Sequence, residues 1–134
     1  MSNEGQSIAR RIKLATEGGL RGSLLCQTLK NALLKLAEEV SVQGVVVGHI
    51  KVLLTEGENF ALLSCTRPSR VEIQASENMD TAMLREPVLH LAAIVANFPE
   101  EKLGGLLDQC ILSILRFLSD ELLGKEDGQL RVLE

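Results

Sequence analysis

The sequence contains no tryptophan and no tyrosine, and phenylalanine occurs only three times in 134 residues. Sugar-binding clefts and platforms for single-stranded nucleic acid both depend on exposed aromatic faces, so the composition disfavours these two kinds of site. The core must instead be built from Leu, Val, Ile and Ala. An apolar fraction of 46% is ordinary for a globular chain and argues against disorder.

A strong charge of either sign is also lacking, because 14 basic and 18 acidic residues leave a net charge of −4. Such a chain has no general attraction to nucleic acid or to anionic membranes, so we expect neither as a partner. No apolar run approaches the roughly 18 residues that a spanning helix needs. The first seven residues lack the apolar segment of a secretory signal, which favours a reducing, cytoplasmic location.

Three cysteines, at positions 26, 65 and 110, are too few and too far apart for a disulfide framework. The glycine-rich phosphate-binding motifs of nucleotide enzymes are missing. The acidic residues occur in runs at helix ends, and none forms a carboxylate pair in an apolar context. We therefore expect no cofactor and no resident metal, and the sequence leaves open whether the protein is an enzyme.

The central stretch, residues 44–75, contains three short runs separated by turn residues, which predicts an antiparallel β-meander. In the first run, 43–55, and the second, 60–66, apolar residues occupy both faces, which predicts burial on both sides. Gly44 and Gly48 predict either bulges in the first strand or the close approach of another backbone or a helix. The third run, 70–75, alternates cleanly and is typical of a strand near the sheet edge.

Two long helices are predicted from apolar stripes with helical spacing, at residues 23–40 and 100–123, the first with Ser23 as its N-cap. A short helix is predicted at 7–16, where three basic residues form either an arm for an acidic partner or, as we favour, a solvated face. The glycine-rich segment 17–22 is interpreted as a turn in preference to an anion-binding loop. Residues 76–87 form a long polar loop that holds one helical turn at 80–84.

Residues 88–98 fit either a helix or a doubly buried strand, and periodicity alone does not separate the two. We favour the strand, because it gives the meander a fourth member. The predicted fold is one α+β domain over residues 1–134: a two-layer sandwich with a meander of three to four strands and both long helices on one face. Residues 1–6 and 125–134 are expected to be flexible, with a short edge strand as the alternative for the tail.

Chemistry-bearing residues are few, and the candidates are His49, His90 and Cys65. If both histidines lie on neighbouring strands, a His/His/Cys site is conceivable, although the spacing contains no paired-ligand motif. Cys65 precedes two arginines that would lower its pKa and activate it. For each residue, a structural role in the core or at the surface is the favoured interpretation.

The predicted function is a non-catalytic oligomeric assembly or protein-binding module, most simply a homodimer, because strands with two apolar faces leave a surplus of apolar surface. Such a dimer either buries the open sheet face or joins the two sheets at an edge. The alternative is a small cysteine- and histidine-dependent enzyme or a metal-binding protein. A third interpretation, a pocket for a small-molecule ligand beneath the loop at 76–87, stays open.

Overall fold

The computed structural model describes residues 5–42, 48–96, 98–122 and 130–133. Within these ranges the chain forms two long helices and eight strands. In chain order they are β1 (Gly5–Thr16), β2 (Leu20–Arg21), α1 (Gly22–Val40), β3 (Gly48–Glu56), β4 (Asn59–Arg67), β5 (Arg70–Ala75), β6 (Met83–Leu84), β7 (Val88–Ala96), α2 (Glu100–Leu122) and β8 (Leu130–Val132).

Six of the strands form one antiparallel sheet in the order β5-β4-β3-β7-β1-β8, and β2 pairs with β6 in a separate two-stranded ladder. The α+β class, the meander and the two long helices are therefore confirmed. The prediction of three to four strands is wrong, because the sheet has six and two of them were not among the predicted strands of the meander. One is β1, and the other is β8 in the tail, which adopts the edge-strand alternative.

The short helix predicted at 7–16 is instead strand β1, which pairs with β7 from Gly5 opposite Ala96 to Lys13 opposite Val88. Ile12 and Leu14 point into the core, and the half-buried Ile8 packs against it. Arg10 shares this face and donates from Nε to Asp108 of α2 over 2.8 Å. A charged residue at an inward position hides the two-residue period, which explains the error.

The strand interpretation of residues 88–98 is confirmed over Val88–Ala96, which forms β7 between β1 and β3. Its alternate residues Leu89, Leu91, Ala93 and Val95 are buried. A strand with ladders on both sides has all its backbone groups paired, so β7 is the centre of the sheet and not an optional fourth member.

Both helices cover the same face of the sheet. The inward residues of β3, β4 and β7 lie opposite one another in register, and they share one buried cluster with the apolar stripes of α1 and α2. Members of this core include Leu33, Leu54, Leu63 and Leu103, each with at most 1% of its surface exposed. Phe117 of α2 is not part of this core and is 44% exposed on the outside of the helix layer.

The first turn of α1 is held by tertiary contacts and not by the predicted Ser23 cap. The N-cap position is Arg21, which makes no side-chain capping bond. The Gly22 N–H donates to the Ala82 carbonyl over 2.8 Å. The segment that supplies this carbonyl contains a single 3₁₀ turn, Met79–Thr81, close to the helical turn predicted at 80–84.

Gly48 opens β3 with φ of +143°, a conformation that residues with a side chain rarely adopt. A Cβ placed on it would lie 1.8 Å from the carbonyl oxygen of Ile94. The close backbone approach predicted for this glycine is therefore confirmed, whereas Gly44 and the rest of 43–47 lie outside the described residues. Neither helix in the described ranges is long and apolar enough to cross a membrane.

Candidate functional site

The three candidate residues are not brought together. Cys65 lies opposite Ile50 and faces the helix layer, where it is fully buried. His49 and His90 are exposed on the other face, and His90 lies opposite Leu53. Positions 49 and 53 are separated by roughly 13 Å along the strand at ~3.3 Å per residue. Within the described ranges, no group of three His, Cys, Asp or Glu side chains is placed to hold a metal ion.

The thiol of Cys65 is a hydrogen-bond donor and not an activated nucleophile. It donates to the carbonyl oxygen of Arg67 over 2.7 Å. Burial raises the pKa of Cys65 above its ordinary value, and backbone hydrogen bonds at Arg67 and Arg70 only partly offset this effect. Activation by the neighbouring arginines, the less favoured interpretation, is therefore not supported, because desolvation is the largest contribution to the pKa of Cys65. The favoured interpretation, a buried structural cysteine, agrees with its complete burial.

The other two cysteines are also buried, on α1 and α2. Burial, with a smaller contribution from Asp80, raises the pKa of Cys26. Burial, together with the charge of Glu39, raises the pKa of Cys110 to about 11. At neutral pH all three side chains are therefore protonated and shielded, which is unfavourable for nucleophilic chemistry.

We expect all three native thiols to react slowly with a disulfide reagent at pH 8 and rapidly after denaturation. Above pH 9.0, the ordinary cysteine value, the unfolded chain ionises at position 110 before the folded protein does. The raised pKa therefore adds stability that is fully present below pH 9 and is lost as the pH rises towards 11. Thiol titration and urea melts between pH 8 and 11 check this, and one fast thiol in the native protein would contradict it.

The glycine-rich segment before α1 is closed by the chain itself. Strand β1 precedes it, and Leu20 and Arg21 form the short ladder with β6. A Cβ on Gly22 would lie 1.8 Å from the Met79 carbonyl oxygen, so the 3₁₀ turn sits directly against the helix start. This contact favours the predicted role as a connecting turn and leaves little room for an anion beside Gly22.

The loop at 76–87 packs down onto the domain, with Met79 and Leu84 fully buried. Met79 thus fills part of the core, whereas Met83 is exposed. An open depression of about 290 Å³ lies beside the end of this loop, lined by Ala15, Thr16, Glu17, Arg85, Glu86 and Arg131. Its mostly charged lining differs from the apolar walls of typical small-molecule sites.

The second face of the six-stranded sheet is covered by none of the described segments. Its centre consists of residues on β3, β4 and β7 that are apolar and only half buried. Leu53 lies opposite Leu62, and Phe60 and Ile94 are each 42% exposed. This is the surplus apolar surface that the two-sided strands predict, and it marks a surface suited to binding another molecule.

Charge is distributed unevenly between the two layers of the domain. The outer sheet face, which we call the open face, carries five basic side chains (Arg11, Lys13, Lys51, Arg70 and Arg131) and two acidic ones (Glu72 and Glu86). The helices α1 and α2 together carry seven acidic and four basic residues. The open face is thus basic although the whole chain is acidic.

The sheet also has an unpaired edge at β5. In the part of the chain that the structure describes, β5 pairs with β4 alone, through Ala61 opposite Ala75 and Leu63 opposite Ile73. Ile73 is 44% exposed at this edge. Strand β5 is six residues long and contains no Pro, and its two charged residues, Arg70 and Glu72, pair with each other across 3.9 Å. Proline and unpaired charges are the residues that often block pairing with another chain.

A groove of about 250 Å³ runs between the two helices on the outside of the helix layer, beside Ala32, Cys110 and Leu112. Lys35, Glu39 and Arg116 also line it, so its charge is mixed. The exposed side chains of Leu112 and Phe117 flank the groove without forming a continuous apolar strip. This groove is less distinctive than either the open face or the β5 edge.

Comparisons with protein-family models, with curated proteins and with solved structures found no match.

Proposed function

We propose that this protein is a non-catalytic assembly module whose chains pair as a homodimer along the β5 edge. The observation that carries the proposal is an exposed, regularly alternating edge strand with one accessible row of backbone donors and acceptors. Such an edge binds another strand through main-chain hydrogen bonds. At the opposite side of the sheet, the three-residue strand β8 pairs with Leu14–Thr16 of β1, and residues 5–12 of β1 form the rest of that edge in the described chain.

The sequence of β5 is complementary to itself. In an antiparallel pair, residues directly opposite each other point to the same face. A two-fold axis between two copies of β5 must therefore place one residue directly opposite its own copy. With the axis at Ile73, Val71 meets Ala75 and Glu72 meets Gln74 of the second copy. With the axis at Glu72, the two carboxylates would face each other, which is unfavourable. The alignment centred on Ile73 is therefore favoured.

A second copy fits the open face less well. Two copies joined through this face would bring together surfaces on which basic residues outnumber acidic ones, including Lys51 near the centre. Like charges in contact are costly unless each gains an opposite partner. The predicted homodimer is for this reason assigned to the edge and not to the face.

The alternative of a cysteine- and histidine-dependent enzyme or metal protein has no supporting geometry. Cys65 lies on the opposite side of the sheet from both His49 and His90. Its raised pKa also disfavours the thiolate that nucleophilic catalysis and metal binding require.

The test compares Ile73→Lys with Ile94→Lys by light scattering over a dilution series. The two isoleucines are 44% and 42% exposed, but Ile73 lies on the edge strand and Ile94 on the open face. We expect the wild type to approach twice the 14.6 kDa chain mass. Ile73→Lys should weaken the dimer about tenfold or more, since it removes apolar burial and adds a charge to be desolvated.

Ile94→Lys should change the dissociation constant of the dimer by no more than about twofold, because an open-face substitution does not touch an edge interface. A wild type that is monomeric throughout the series would contradict the proposal. So would the reverse pattern, in which Ile94→Lys dissociates the dimer and Ile73→Lys does not, because that result would place the interface on the open face.

A further inference from the structure

We propose that the open face is a docking site for an acidic amphipathic helix of a partner protein. The apolar centre, formed by Leu53, Leu62 and Phe60, supplies area for burial, and the basic residues around it supply attraction for carboxylates. This site is separate from the β5 edge and does not depend on the dimer.

The charge of the face selects an acidic occupant. Lys51 lies on β3, the strand next to β7, between two small residues, Ala92 of β7 and Ser64 of β4. Little therefore surrounds its ammonium group. It is exposed and makes no ion pair with any described residue. A partner carboxylate placed over this position gains an interaction that the free domain leaves unused.

Other charges near this position reinforce the selection. Arg11 lies on β1 opposite His90 of β7, two residues along the strands from the Lys51 row, and adds a positive charge to this face. Glu72 is the acidic residue in the Lys51 row, and it lies at the sheet edge within 3.9 Å of Arg70. The basic residues of the open face therefore include Lys51 at its centre and Arg11, Lys13 and Arg131 on β1 and β8 beside it.

The backbone of the face selects a helix over an extended segment. Every strand under this centre already has a ladder on each side, so its N–H and C=O groups are occupied. An extended peptide laid on the face would find no main-chain partners and would leave its own unpaired. A helix satisfies its backbone internally and contacts the sheet by side chains alone, as α1 and α2 do on the other face.

The probe is a fluorescein-labelled, 18-residue amphipathic peptide of Leu, Ala and Glu with a leucine stripe at helical spacing. A peptide of the same pattern with Lys in place of Glu serves as the charge control, and a scrambled Leu/Ala/Glu peptide as the pattern control. Fluorescence anisotropy should show saturable binding of the Leu/Ala/Glu peptide. Its affinity should fall as the salt concentration is raised from about 50 to about 500 mM, because salt screens the attraction between surface charges. The two controls should bind at least about fivefold more weakly.

Variants locate the binding site. Lys51→Glu should weaken binding by about fivefold or more, since it replaces attraction by repulsion at the centre of the face. Lys35→Glu makes the same charge change on α1, where the side chain is exposed on the helix layer, and should leave binding unchanged within about twofold. Ile73→Lys should also retain binding, which separates a failure of this proposal from a failure of the edge dimer.

Equal losses from Lys51→Glu and Lys35→Glu would overturn the proposal, because they would indicate a response to net charge alone. Equal binding of the acidic, basic and scrambled peptides would overturn it as well. Tighter binding of a labelled single-stranded DNA oligomer, with the same loss in Lys51→Glu, would assign the face to phosphate and not to an acidic helix.

Discussion

Replacing Gly48 with alanine is expected to destabilise the protein by at least ~3 kcal/mol, because two penalties act at one position. The residue has φ of +143°, and a Cβ would lie 1.8 Å from the Ile94 carbonyl oxygen and 2.8 Å from the carbonyl carbon. Both atoms belong to the backbone of β7, the central strand. Relief of the contact must separate β3 from β7, which weakens the ladder that joins the meander to β1.

Urea denaturation of the variant checks this value, and Gly57→Ala is its matched control. Gly57 also has a positive φ, of 59°, but nothing lies within 4 Å of the position of its Cβ. The free energy of unfolding of that variant should fall by only about 1 kcal/mol, the usual cost of the left-handed conformation for a residue with a side chain. A Gly48→Ala loss no larger than that of Gly57→Ala would show that β3 and β7 are not in this close contact.

Replacing Gly22 with alanine is expected to destabilise the protein by about 2–4 kcal/mol through a steric clash without a conformational penalty. The Cβ would lie 1.8 Å from the carbonyl oxygen of Met79 and 2.9 Å from its carbonyl carbon. Because Met79 is fully buried, the 3₁₀ turn cannot move aside without exposing its side chain. The same movement would stretch the bond from the Gly22 N–H to the Ala82 carbonyl.

Thermal unfolding measures this loss, and limited proteolysis within residues 76–87 should become faster in the variant. Gly105→Ala provides the control, since that position lies in α2 with nothing within 4 Å of its Cβ. It should be neutral or stabilising by up to ~1 kcal/mol, the helix preference of alanine over glycine. If Gly22→Ala behaves like Gly105→Ala, the loop does not hold the start of α1.

The elements predicted correctly are those in which local pattern and tertiary environment agree. The apolar stripes of α1 and α2 match their buried faces, and β3, β4 and β5 coincide with the three short runs separated by turn residues. The burial on both sides predicted for the runs 43–55 and 60–66 is not found in the described part of the chain, where β3 and β4 are buried on one face and only partly covered on the other. Strand β1 was not recognisable because Arg10 occupies an inward position, and its partner Asp108 is 98 residues away. The start of α1 was mispredicted for a related reason, since the distant Ala82 carbonyl accepts the N–H that a local cap would satisfy.

The surplus apolar surface was predictable from Leu53 and Leu62, which stand on the second face of their strands. The basic character of that face was not, because Arg11 and Lys13 belong to a segment predicted as helical. The separation of Cys65 from the histidines follows from register. The turn that leaves Glu56 opposite Asn59 also puts Cys65 opposite Ile50, and pattern alone does not determine a turn length.

The edge dimer is tested most directly by disulfide cross-linking of Ile73→Cys and Glu72→Cys in otherwise identical chains. With the two-fold axis at Ile73, the two introduced cysteines face each other at a Cα separation of about 4.5–5.5 Å, which a disulfide spans. The two positions 72 would be roughly 8 Å apart, beyond that reach. The three native cysteines are buried and should not compete.

Mild oxidation should therefore convert Ile73→Cys into a covalent dimer on a non-reducing gel, while Glu72→Cys remains largely monomeric. Failure of Ile73→Cys to cross-link, or equally rapid cross-linking of both variants, would contradict pairing of two copies along β5.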